Sequence, residues 1–120
     1  MMLERLNWSV LALAQCAEIQ IGLFPDFAPA GEELALCWEE ALGELESGGA
    51  DISSDQKDKI EALDKLILAM SGPDFLRFGS DGGLNLPEWG PVRLAAAEVA
   101  RSFGWPMVPP PPSQDIYLKG

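Results

Sequence analysis

The chain contains no histidine. That removes the commonest general base and the commonest metal ligand together. It also excludes a Ser-His-Asp or Cys-His arrangement and the Glu-x-x-His design of helical di-iron proteins. Cysteine is nearly as scarce. Cys16 and Cys37 make neither a disulfide framework nor a four-ligand zinc site. Both fall among apolar neighbours in helical patterns, so the expectation is two buried thiols acting as small hydrophobes, a usage that fits a cytoplasmic chain. No uninterrupted apolar run approaches the roughly 18 residues of a membrane span, and none is expected. The opening "MMLERLNWSVLALAQC" sets Glu4 beside Arg5 instead of a positively charged leader. Gln15 stands where a lipoprotein cleavage site would want a small residue, so export is not expected either.

Positive charge is the remaining scarcity. Eight Lys and Arg face 19 Asp and Glu, for a net charge of −11. A phosphate-neutralising patch is out of reach of such a chain, so direct nucleic-acid binding is not expected. A basic partner is what this charge suits.

What is present is enough to fold. At 120 residues and 48% hydrophobic composition, one domain can build a core without metal or disulfide staples. Leu3, Leu6, Val10, Leu13, Ala17 and Ile21 recur at helical spacing over residues 3–22. Trp8, Leu11, Ala12 and Ile19 make the opposite side apolar as well, so this helix should be central. "FPDFAPAG" (24–31) is a connector. A second helix is expected over about 31–47 with Leu34, Trp38, Ala41, Leu42 and Leu45 inward. Ser53 and Gln56 have capping-box spacing and open a third, with Ile60, Leu63, Ile67 and Met70 on one face and Leu66 beside them. Gly72-Pro73 stops it.

The stretch "RFGSDGGLNLPEWGPVR" (77–93) fails the tests for a ligand loop. It has no cation between Arg77 and Arg93 for a phosphate loop, prolines at 87 and 91 where a dinucleotide fingerprint needs a helix to open, and the wrong oxygen spacing for calcium. Its glycines are read as turns. Asp81-Gly82 is a hairpin signal, which admits a short β-hairpin near residues 75–86. Pro91 suits the first position of a fourth helix, whose inward residues are Val92, Ala95, Ala96, Val99 and Phe103. The expected fold is therefore all-α for the most part: a four-helix bundle-like domain over 1–104 and an extended Pro-rich tail over 105–120. The tail is expected to pack on the domain through Trp105, Met107, Val108, Ile116 and Tyr117.

The acids are unevenly placed. From Leu6 to Gln56 the chain has no lysine or arginine, yet this window contains ten acids, six of them in the second helix. Glu32, Glu39 and Glu46 lie seven apart, with Glu33, Glu40 and Glu44 beside them and Leu36 among them. Like charges at i,i+4 cost a helix a few tenths of a kcal/mol per pair, whereas the third helix interleaves lysines with its acids. A solvated acidic face is one account of the row. The other is a docking face of Glu32, Glu33, Leu36, Glu39, Glu40 and Glu44, an apolar residue ringed by carboxylates that meets a basic protein. No catalytic residue, cofactor or metal is expected. The expected function is non-catalytic inhibition by protein binding, as in a bacterial immunity protein or antitoxin that neutralises a toxin with a basic active site, by a monomer or homodimer. The alternatives are a secretion chaperone or adaptor for an effector, an enzyme working with carboxylates alone, and a plain structural domain.

Overall fold

A computed structural model of the chain describes residues 3–25, 27–48, 51–70, 78–80 and 82–112. Its elements in order are α1 (Glu4–Leu13), α2 (Ala17–Gly22), α3 (Ala30–Gly48), α4 (Ser54–Ala69), a 3₁₀ turn (Gly82–Asn85) and α5 (Trp89–Phe103). The chain is mostly helical, and no strand occurs among the described residues. The Cα radius of gyration is 13.5 Å, close to the roughly 14 Å of a compact domain of this length.

α1 is the central element. It packs against α3 on one side and α5 on the other, and α5 in turn carries α4. Leu6, Ser9, Val10, Leu11, Ala12 and Leu13 are all buried, which is why the apolar pattern of this segment runs around the whole helix. Trp38, Leu34, Leu63, Trp89, Val92 and Val99 complete the core. The capping box opens α4 as its spacing predicts: the Gln56 amide N–H donates to Ser53 Oγ, and the Gln56 side chain accepts from the Ser53 amide. Gln56 Nε2 also donates to Ser102 O at 3.1 Å, which ties the start of α4 to the end of α5. That end is a glycine C-cap, with Gly104 at φ 73° and Trp105 N–H donating back to Ala100 O.

Four expectations are corrected. The helix expected over 3–22 is two helices, because Cys16 turns extended at ψ 164°. One side chain satisfies the freed carbonyls of α1 at this break: Gln20 Nε2 donates to both Ala12 O and Leu13 O at 3.1 Å. The β-hairpin near 75–86 is not supported. Phe78 and Gly79 are helical and 82–85 is a 3₁₀ turn, while 75–77 and 81 lie outside the described residues. Buried Leu84 and the bond from Trp89 Nε1 to Phe78 O (3.0 Å) organise this stretch instead. α5 begins at Trp89, so Pro91 is its third residue, still within the first turn where no intrahelical N–H is lost. Cys16 is exposed and Cys37 only half-buried.

The segment after α5 has no regular structure over 105–112. Trp8 Nε1 donates to Pro111 O at 2.7 Å, Pro110 is buried, and Trp105 stacks on Phe103 with centroids 4.4 Å apart. Met107 and Val108 are exposed. Ile116 and Tyr117 lie outside the described residues.

Candidate partner-binding site

α3 buries Ala30, Leu34, Trp38 and Ala41, and this stripe fixes which residues face outward. Leu36 stands on the outer side, 52% exposed. At 3.6 residues per turn the acids fall on two edges around it. Glu33, Glu40 and Glu44 share one edge with Cys37, facing α1. Glu32, Glu39 and Glu46 share the other, and of these Glu46 lines the seam with α4. Glu39, Glu40, Glu44 and Glu46 are exposed, and Glu32 and Glu33 half-exposed. The six expected site residues therefore do form one surface.

The two edges differ in their cations. Arg5 of α1 reaches the first: its Nη1 donates to Glu40 Oε1 at 3.4 Å and its Nε lies 2.7 Å from Glu44 Oε2. All three side chains are well exposed, so each pair contributes about 0–1 kcal/mol. One guanidinium relieves the repulsion of two neighbours without erasing the field of the row. On the second edge, Glu32, Glu39 and Glu46 form no ion pair with the described residues. Cys37 registers the charge of the first edge. Burial, then Glu40 and Glu33, push its thiol up to about 11, with Arg5 acting the other way. It is a neutral thiol at physiological pH.

A second feature adjoins the unpaired edge and was not anticipated. α3 and α4 do not pack closely on each other. The bond from buried Trp38 Nε1 to Asp64 Oδ1, 3.0 Å, bridges them. Beyond it lies a groove of about 650 Å³ floored by Leu42, Leu45, Ile52, Ile60 and Leu68, with Glu46, Glu61, Asp64, Lys57 and Lys65 at its rim. Leu68 is 58% exposed, and Leu42 and Leu45, expected inward, are only half-buried. The signal in the sequence was an apolar stripe on the second helix that ran past Trp38 with no facing stripe to receive it.

Arg93, Gln15 and Gln20 were also missed. Arg93 donates to Gln15 O (3.0 Å), Gln20 Oε1 (2.9 Å) and Leu84 O (2.6 Å). It is a structural clamp joining α5, the α1–α2 break and the 3₁₀ turn. Among the described residues, no group of three or more Cys, Asp or Glu is placed to hold a metal ion, and no helix is long and apolar enough to cross a membrane. Comparison of the chain with family models, with curated proteins and with solved structures finds no match.

Proposed function

We propose that this chain is a non-catalytic, acidic protein-binding inhibitor, of the kind represented by bacterial immunity proteins and antitoxins. It acts in the cytoplasm on a basic protein, with no direct role for nucleic acid or membrane. The docking face is Glu32, Glu33, Leu36, Glu39, Glu40 and Glu44, presented by an open four-helix frame of α1, α3, α4 and α5. One observation carries the reading: a half-exposed leucine set among carboxylates, with a single cation among the described residues reaching only one edge. A cationic surface would supply the missing counter-charges and speed encounter. Leu36 would supply the desolvated centre that tight complexes need.

The test is recovery of the partner from the native host, followed by binding measured against Glu39→Lys plus Glu40→Lys. The expected result is a basic partner whose association slows at least about tenfold with the charge reversal and falls with added salt. Affinity unmoved by the reversal removes the docking face.

A secretion chaperone or adaptor is the second reading. It is favoured by the exposed Phe27, Leu36, Leu68 and Leu94, which would suit an unfolded client. A stable homodimer in light scattering, with a wide apolar groove, would point to it.

A further inference from the structure

We propose that the groove between α3 and α4 receives a cationic amphipathic helix of the partner protein, whose apolar side fills the groove and whose cationic flank lies along Glu39 and Glu46. This rests on the reading of α3 as the face that meets a basic protein, and it adds to Leu36 a second apolar anchor on the neighbouring edge.

The groove is the seam left where two helices of the frame stand apart. Its floor is aliphatic, and Leu45 and Leu68 face each other across it half-buried or exposed. An apolar trough between two helices is the geometry that takes a third helix through residues at i, i+3, i+4 and i+7. Charge selects the occupant. On α3 the rim residue is the acid Glu46, on the edge that Arg5 does not reach, with Glu39 about two turns back along the same edge. The α4 rim is balanced, Lys57 and Lys65 against Glu61 and Asp64. An incoming helix therefore gains most from cations on its α3 side. A second copy of this chain would bring another net charge of −11 to an acidic rim and is disfavoured.

The probe is a designed helix of Leu and Lys, roughly 18 residues and about 27 Å long. It is set beside a Leu and Glu helix of the same pattern and a Leu and Lys peptide with no apolar side. Binding to the full chain is followed by titration and by amide NMR shifts. The Lys helix should bind, shift Leu42, Leu45, Ile52 and Leu68, and lose about tenfold or more in affinity in Leu68→Gln or Leu45→Gln. Met107→Gln, an exposed position in the segment after α5 and away from the groove, should leave its affinity unchanged. Leu68 is exposed, so Leu68→Gln should keep the parent circular dichroism.

Shifts centred on Leu36 and Glu40, with Leu68→Gln silent, overturn the groove and leave the acidic docking face standing. Equal binding of the peptide with no apolar side overturns helix capture. Equal binding of the Glu helix overturns the charge selection on which both readings rest. Absence of binding, or self-association of the chain through the same residues, overturns the groove alone; the native-partner experiment then decides the docking face.

Discussion

Replacing Arg93 by Met should be among the most damaging single changes in this chain that leave no cavity. The guanidinium serves three acceptors in three segments: Gln15 O, Gln20 Oε1 and Leu84 O. Gln20 is fully buried, and its Nε2 is already committed to Ala12 O and Leu13 O. Its Oε1 therefore loses its partner outright, and a buried acceptor left unsatisfied costs about 1–3 kcal/mol. The two carbonyls belong to buried residues as well, Leu84 fully, and their loss adds to this. Met keeps the apolar stem that Arg93 lays along α5, and burial, which pulls the guanidinium below its ordinary value, is relieved. The net expectation is a loss of about 2–4 kcal/mol, a large share of the roughly 5–15 kcal/mol that holds a domain. Urea denaturation followed by circular dichroism measures it, with the slope unchanged if only stability moves. Gln20→Leu should cost less in the Arg93→Met background than in the parent, with a coupling of about 1 kcal/mol or more. The conservative change Arg93→Lys should not restore the parent stability, since one ammonium cannot reproduce the fork. A loss below about 1 kcal/mol, or strictly additive effects, would refute the assignment of Arg93 as the clamp that holds the α1–α2 break.

Gly31→Ala should destabilise by about 1–3 kcal/mol, read by the same denaturation. A Cβ there would lie 2.7 Å from Phe78 O and Gly79 O, and backbone cannot rotate away; an unchanged midpoint would place the start of α3 elsewhere. Cys37 should react with a disulfide reagent at about pH 8 more than about tenfold slower than exposed Cys16. Because its folded value is raised from 9.0 to about 11, the fold should keep its stability below pH 9 and lose some as pH rises toward 11, and Cys37→Ala should flatten that loss. Among single changes on α3, Glu39→Gln and Glu46→Gln should slow capture of the Lys helix more than Glu40→Gln and Glu44→Gln, whose charge Arg5 already offsets. An equal or reversed ranking in stopped-flow rates would count against the division of α3 into two edges.

Periodicity carried most of the fold because the buried stripes here are clean. Ile60, Leu63, Ile67 and Met70 are buried as one face, and the Ser53 capping box sits where its spacing put it. The break at 14–16 was hidden for a physical reason: an apolar pattern all round the helix contains no sign of a stop. The stop is held by polar contacts from Gln20, seven and eight residues on, and from Arg93, 78 residues beyond Gln15. The hairpin signal at Asp81-Gly82 did not prevail: Leu84 is buried within the 3₁₀ turn and Trp89 within the first turn of α5. The candidate site divided in the same way. Heptad spacing sufficed to place six side chains on one face of α3. Which of them meet Arg5, and that α4 stands away from α3, depend on packing between helices, which no local pattern encodes.

The arrangement of cations bears on whether the acidic row is only solvated surface. Residues seven apart on a helix are separated by about 10.5 Å along its axis, near the screening length of about 10 Å at 0.1 M salt. Glu32, Glu39 and Glu46 therefore repel one another weakly, and folding alone puts little pressure on the chain to neutralise them. The closer spacings, Glu40 with Glu44 above all, are where like charges cost most, and that is the pair Arg5 reaches. Internal stability thus accounts for the paired edge and tolerates the other unpaired, which leaves its charge available to a partner. That edge borders a trough of half-buried leucines that the described residues leave open. Uncompensated charge and uncompensated apolar surface on the same flank of one helix are two separate shortfalls, and a single cationic amphipathic partner would make good both.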